Sequence, residues 1–280
     1  MPSAATLRLE IERKLEHRFP AALTPSPCTI HEVYATGVEA VDGFLGGGLP
    51  VGAISELTGL ESSGRTSLAL AFMARRTAEG RAVAWVDVSD ALDPESAAAN
   101  GVRLRQLLWV RCGNRVHGSG IRDQKDRERG NKGTREQPSK PPRLSWTELD
   151  QALRATDLLL QAGGFAAIVL DLGDTVPEQA SRIPLATWFR YRQAAERTQC
   201  SLVVVGARAY AKSAAAVVLE CEARRADSAG ENGATGTVLR GFEFAVRRGR
   251  ERFAPVEIGT RKPPMATWQA DAQWDTEKRA

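Results

Sequence analysis

Two patterns of apolar residues alternate along most of the chain. Some segments place apolar residues three or four positions apart, as in SLALAFMARRTAEG, while others are continuous apolar runs such as RAVAWVDV and SLVVVGA. The first pattern predicts amphipathic helices and the second predicts buried strands. Strands that alternate with helices form mostly parallel sheets covered on both faces. We therefore predict an α/β fold with helices on both faces of a mostly parallel sheet.

The first part of this predicted core spans residues 29–112. A turn within it is marked by Gly46 to Gly48 and Pro50, and one of its strands is RAVAWVDV. The other expected elements are a strand at Ala53 to Thr58, a helix from Ser67 to about Glu79, a helix over Pro94 to Asn100 and a strand at Leu107 to Val110.

The second part of the core spans residues 144–260. A helix in LSWTELDQALRATDLLLQAGG is closed by Gly163 and Gly164, and the strand FAAIVLDLGD ends in Asp171. The helix IPLATWFRYRQAAERTQ should bury Trp188 and Phe189, and two further strands are SLVVVGA and AAAVVLECEARR. The segment VLRGFEFAVRRGRERFAPVEIG predicts an antiparallel hairpin at the sheet edge.

Three segments lie outside this core. Residues 1–28 contain an amphipathic helix and a linker, and the helix packs either on its own domain or on a neighbouring subunit. Residues 113–143 are almost free of apolar residues, which predicts a disordered basic insertion. This insertion is either a solvated loop or an arm that binds nucleic acid. Residues 261–280 are expected to be a polar tail.

Composition narrows the location and the chemistry. The net charge is +4, and the basic residues cluster, so nucleic acid is a permitted partner. The four cysteines form no CxxC pair, and the three histidines lie far from them, so we expect no zinc site. The charged start of the chain does not match a secretory signal, and no apolar run is long enough for a bilayer. We expect a cytoplasmic protein.

The segment GLESSGRT is the main chemical signal. It has the glycine spacing of the phosphate-binding motif GxxxxGK[ST], with an arginine at the lysine position. A strand precedes it and a helix follows, so its amides should point at an anion. The alternative is a glycine-rich turn that binds nothing. The candidate nucleotide-binding residues are Gly59, Leu60, Glu61, Ser62, Ser63, Gly64, Arg65, Thr66 and Ser67.

Two further residues are candidates for a metal site. The hydroxyl of Thr66 is expected to bind Mg²⁺, and Asp171 should hold that ion directly or through water. An acidic residue at a strand end is common by chance, so Asp171 is a weak signal alone.

The run GGLPVGAISELTGLESSGRTSLALAFMARR, followed by AVAWVDVSDALDPESAAANGV, resembles the RecA recombinase family. The resemblance extends from Thr36 to Val110 and, more weakly, from Ala162 to Arg225. It implies a RecA-like P-loop NTPase fold that binds ATP with Mg²⁺. It also implies that Asp93 of the ALDP segment touches adenine.

The chain departs from that family where hydrolysis is performed. Ser89 stands at the position of the glutamate that activates water, and Ser96 at the position of the ring that stacks on adenine. Ala207 aligns with the polar residue that senses the terminal phosphate. Arg65 is charged but planar and longer than lysine. Asp90 is not expected to replace the missing glutamate, because neighbouring residues of a strand face opposite sides. The resemblance therefore implies nucleotide binding with weak or absent hydrolysis, and we assign no catalytic residue.

The DNA-binding loop of the family is also shortened here. The segment ARAYAKS leads within a few residues to the next strand, so strand exchange is not expected. Basic residues that remain as candidates for DNA binding, with a solvated basic face as the alternative, are Arg208, Lys212, Arg247, Arg248 and Arg250.

The segments QAGGFAAIVLDLGD, RIPLATWFRYRQAAERT and AKSAAAVVL resemble the ImuA subgroup of RecA-like proteins. That resemblance implies an accessory role in bacterial DNA repair and damage-induced translesion synthesis (the SOS response). It implies two partners, an ImuB-like polymerase relative and an error-prone replicative-type polymerase, and leaves open a homo-oligomer. Two alternatives are an active DNA-dependent ATPase and recombinase on single-stranded DNA, and a scaffold with an empty phosphate loop.

Overall fold

The structure is a computed structural model of the 280-residue chain, and it describes residues 32–112, 147–173, 175–229, 238–251 and 265–271. Its strands are β1 (Val33–Tyr34), β2 (Leu49–Pro50), β3 (Ile54–Thr58), β4 (Val83–Asp87), β5 (Leu107–Arg111), β6 (Ala167–Asp171), β7 (Ser201–Gly206), β8 (Val217–Ala229), β9 (Val238–Glu251) and β10 (Met265–Asp271). Its helices are α1 (Glu39–Leu45), α2 (Arg65–Ala78), α3 (Pro94–Ala99), α4 (Glu148–Ala162), α5 (Pro177–Ala180) and α6 (Leu185–Thr198).

Eight strands form the main sheet, in the order β10-β9-β8-β3-β7-β6-β4-β5. The strands from β8 to β5 in this order pair in parallel, and β8, β9 and β10 pair antiparallel. The prediction of a mostly parallel sheet with a C-terminal antiparallel hairpin is confirmed. Because β3, β4, β6 and β7 run in one direction, the loops after them meet at one edge of the sheet.

The two faces of the sheet carry separate apolar layers. Successive residues of β4 alternate between them, with Trp85 in the layer under α1 and α2 and Val86 in the layer under α4 and α6. The rings of Phe244 and Trp268 extend the first layer onto the antiparallel strands. Helices therefore cover both faces, as the sequence predicts.

Local signals fix where several helices begin and end. Thr147 and Asp150 form a reciprocal capping box at the start of α4, and Gly163 follows its last residue with φ of 71°. The helix α2 is likewise followed by Gly80, with φ of 78°. Glycine adopts such positive φ angles without the steric cost that a Cβ imposes.

The structure departs from the sequence predictions at three places. Met265–Asp271, predicted within a polar tail, is the edge strand β10, because Ala266 and Trp268 alternate into the core. Trp188 is fully buried, as expected, but Phe189 on the next helical position is 37% exposed. The short helix α1 was not expected at all.

The predicted N-terminal helix and the basic insertion of residues 113–143 lie outside the described residues. The division of the chain into domains therefore stays a prediction. In the described ranges, no helix combines the length and apolar character that crossing a bilayer demands.

We predict that Trp188→Ala destabilises the fold strongly, whereas Phe189→Ala does not. The Trp188 ring is fully buried and meets Tyr191 edge to face at 5.9 Å, so its removal leaves a cavity and should lower the free energy of unfolding by about 3–5 kcal/mol. Phe189 keeps much of its surface in water and should cost about 1 kcal/mol or less. Urea unfolding of both variants measures the difference, and equal losses would contradict the assignment.

Candidate nucleotide-binding site

The phosphate loop of residues 59–64 joins β3 to α2 at the sheet edge where the other strands end. Its backbone lies against the antiparallel strands. A Cβ on Gly59 would lie 2.5 Å from the carbonyl oxygen of Cys221, and a Cβ on Gly64 would lie 2.7 Å from ring carbons of Phe244. Both positions therefore require glycine for a close approach.

The N-terminus of α2 faces this loop. The helix has no side-chain cap, so its first amides are available to an anion and the helix dipole favours negative charge there. Ser63 is 3% exposed, and its hydroxyl has no hydrogen-bond partner among the described residues. A buried polar atom of this kind is normally paired in the functional state.

Arg65 folds back into the loop. Its side chain is buried, and Nη1 donates to the carbonyl oxygen of Gly59. Nη2 lies 3.3 Å from the point where a Cβ on Gly173 would stand, beside the Asp171 carboxylate. The guanidinium is therefore inside the loop, where a bound phosphate would meet it as a charged, forked donor.

A cavity of about 270 Å³ brings three of the predicted residues together. Thr66, Asp171 and Asp93 all line it. Asp171 Oδ1 accepts from the Gly173 amide at 2.9 Å. One hydroxyl and one carboxylate fit Mg²⁺, which typically takes one or two carboxylates together with nucleotide phosphates. No cluster of three or more acidic, histidine or cysteine side chains exists in the described ranges that could hold a metal alone.

Asp93 and Ser96, which both line this cavity, are hydrogen-bonded to each other. Asp93 caps α3, and its Oδ2 accepts from the Ser96 amide at 3.0 Å and from the Ser96 hydroxyl at 2.5 Å. These hydrogen bonds hold the pKa of Asp93 below its usual value. Ser96 offers no ring to a base, in keeping with the departure noted in the sequence.

The carboxylates of Asp87, at the end of β4, and of Asp90, just after it, also accept hydrogen bonds from neighbouring groups. Asp87 accepts from the Ala91 and Leu92 amides, at 3.0 and 2.9 Å, and from the Trp109 indole. Asp90 has φ of 57° and pairs with both nitrogens of the Arg111 fork, at 2.5 and 2.6 Å. Asp90 is thus turned to the edge strand β5, which argues against its replacing the glutamate absent at Ser89.

The connection between β7 and β8 is fixed by a buried glutamate. Glu56, in the middle of β3, accepts from the Tyr210 and Ala211 amides at 2.6 and 2.9 Å. This contact holds a short connection against the sheet. Sequence reasoning predicted the shortness of the segment but not the residue that anchors it.

The predicted DNA-binding residues are not a continuous free basic surface. Arg208 and Lys212 are exposed, on the connection that follows β7. Arg247 pairs with Glu222 at 2.9 Å, and Arg248 donates to the Phe44 carbonyl oxygen with its guanidinium 4.8 Å from the Phe44 ring centroid. Arg248 therefore ties β9 to α1. The side chain of Arg250 lies outside what the structure describes.

The sequence analysis did not identify two aromatic residues that lie beside the phosphate loop. Phe242 and Phe244, on one face of β9, close a second cavity of about 230 Å³ whose other wall is the loop from Ser62 and the start of α2. The alternation in GFEFAV could have indicated rings on one face. It could not indicate that they face the phosphate loop.

Comparison with known proteins agrees with this geometry. The model of the RecA N-terminal domain matches residues 9–121. This part of the chain is RecA-like. Protein RecA of Crocosphaera subtropica and that of Nostoc sp. are each 47% identical over 77 residues, which is 28% of this chain and 22% of either relative. Protein RecA of Synechocystis sp. is 45% identical over 83 residues, or 30% of this chain and 23% of that protein.

The matched part of the chain thus spans less than a quarter of the length of these curated relatives. Among solved structures, the RadB recombinase has a TM-score of 0.49 and 17% identity, over 84% of this chain and 94% of that one.

We predict that Glu56→Leu loosens the connection after β7. The change leaves two buried amides without an acceptor, so the free energy of unfolding should fall by about 2–4 kcal/mol, and trypsin should cut faster after Arg208 and Lys212. Glu222→Gln, which breaks an exposed ion pair, should cost less than about 1 kcal/mol and leave the cleavage rate unchanged. Unchanged cleavage in Glu56→Leu would refute the anchoring role.

Proposed function

We propose that this chain is a RecA-like ATP-binding accessory protein of bacterial DNA repair, with weak or absent hydrolysis. One observation carries the proposal: the phosphate loop is present, but the carboxylates near the end of β4 are hydrogen-bonded to other parts of the protein. The loop keeps its glycine geometry and an internal cation, whereas Asp87 and Asp90 are committed to neighbouring amides and to Arg111.

Binding follows from the loop and its neighbours. The amides at the start of α2 would hold the β and γ phosphates, and Arg65 would contact them from inside the loop. Thr66 and Asp171 would hold Mg²⁺, which supplies charge neutralisation to the phosphates. The RecA-like match over residues 9–121 supports ATP as the ligand.

Hydrolysis needs a group that positions and activates water. Ser89 has no carboxylate, and the nearest acidic residue, Asp90, forms two hydrogen bonds with Arg111. Loss of such a group lowers the rate by about 10²–10⁴-fold. The nucleotide would therefore act on conformation or assembly and would be turned over slowly.

The cellular role is inferred from the ImuA resemblance. It supports a role in damage-induced translesion synthesis, with an ImuB-like polymerase relative and an error-prone replicative-type polymerase as the proposed partners. The connection held by Glu56 is short and disfavours a mobile loop for strand exchange. Arg208 and Lys212 are exposed on it, and we propose them as contacts to DNA phosphates.

We predict that Arg65→Lys preserves ATP binding within a few-fold and does not restore hydrolysis. The substitution keeps a cation in the loop but adds no carboxylate near the attacking water. Arg65→Ala should weaken binding at least tenfold, and Arg75→Ala, an exposed change in the last turn of α2, should have no effect. Titration of a fluorescent ATP analogue with and without Mg²⁺, beside phosphate release with and without single-stranded DNA, gives both quantities.

Two results would reject the proposal. Absence of binding by the unaltered protein at millimolar analogue would favour a scaffold with an empty loop. Phosphate release at the rate of an active recombinase, stimulated by single-stranded DNA, would favour the recombinase alternative.

A further inference from the structure

Three aromatic rings run in a row from the core to the mouth of the phosphate loop. The Trp268 and Phe244 ring centroids are 5.3 Å apart, and those of Phe244 and Phe242 are 5.8 Å apart, with the last two planes inclined by 26°. Trp268 and Phe244 are buried, whereas Phe242 is 36% exposed. The row therefore ends in a partly open ring beside the loop.

This ring lies beside the loop that would hold the phosphates. Phe242 and Phe244 close the cavity of about 230 Å³ whose opposite wall is Ser62 to Ser67. Phe244 packs on the backbone of Gly64, which fixes the distance between loop and rings. Ser63 lines the same cavity, and its buried hydroxyl, beside Gly59, has no hydrogen-bond partner among the described residues, which is a second, independent indication of a ligand at the loop.

We propose that Phe242 stacks on the base of the bound nucleotide and that this site holds adenine and guanine nucleotides with similar affinity. The inference rests on the nucleotide binding proposed above. Ser96, across the helix start, bonds to Asp93 and presents no ring, so the stacking surface comes from β9.

Weak base discrimination follows from what surrounds Phe242. Among the described residues, Phe242 and Phe244 are the only rings that line the cavity, and the rest of its lining, Ser62 to Ser67, includes Arg65 and Thr66 and belongs to the loop and helix start that would hold the phosphates. Stacking on a ring tolerates every base because each has a π face. Glu243 follows Phe242 on β9, and Arg225 and Gln269 lie opposite Glu243 on the neighbouring strands. They oppose one another in register and therefore share the face of the sheet away from Phe242.

The test compares ligands with and without a base. Isothermal titration of the full chain with ATP, GTP and inorganic tripolyphosphate, each with Mg²⁺, should give ATP and GTP dissociation constants within about threefold. Phe242→Ala should weaken ATP and GTP about tenfold and leave tripolyphosphate unchanged. Phe242→Trp should restore nucleotide binding.

The control is Phe189→Ala, because Phe189 has nearly the same exposure and lies on α6. It should change none of the three dissociation constants. An unchanged ATP affinity in Phe242→Ala, an equal loss for tripolyphosphate, or GTP binding more than about 30-fold weaker than ATP would each overturn the inference while the proposed nucleotide binding stands. If the unaltered protein binds neither ATP nor tripolyphosphate, both proposals fail.

Discussion

The site depends on a steric constraint: the phosphate loop and the antiparallel strands touch through backbone and ring, with no room for side chains between them. Gly59 meets the Cys221 carbonyl of β8, and Gly64 meets the Phe244 ring of β9. The loop shape is therefore set from outside as well as by its own sequence. A conventional strand, loop and helix supply the amides, and the C-terminal strands supply the wall against which those amides are held.

The charged groups around the loop are held by contacts within the protein. Arg65, the first residue of α2, is buried, and its guanidinium donates to the carbonyl oxygen of Gly59. Two carboxylates near the end of β4 stabilise local structure. Asp87, its last residue, accepts from two backbone amides of the following turn, and Asp90 accepts from Arg111 of the edge strand β5.

Most of the sheet could be predicted from the sequence because continuous apolar runs identify buried strands, and Thr66 could be grouped with Asp171 because parallel strands end at one edge. The place of Asp93 was implied only by the RecA resemblance. Other features could not be predicted. The strand β10 has only Ala266 and Trp268 as alternating buried residues within a polar segment, which is too short a pattern to distinguish from a tail. The positions of Phe242, Phe244 and Glu56 depend on contacts between residues far apart in sequence, which local periodicity does not encode.

The anchoring of β9 has a consequence for communication across the molecule. Phe244 packs against Gly64 of the phosphate loop. Arg248, four residues further along the same strand, donates a hydrogen bond to the carbonyl oxygen of Phe44 in α1. The phosphate loop and α1 therefore both contact the same strand, β9. By thermodynamic reciprocity, any macromolecule whose affinity for the β9 and α1 surface changes when the loop is filled must alter the retention of the loop's ligand by the same factor.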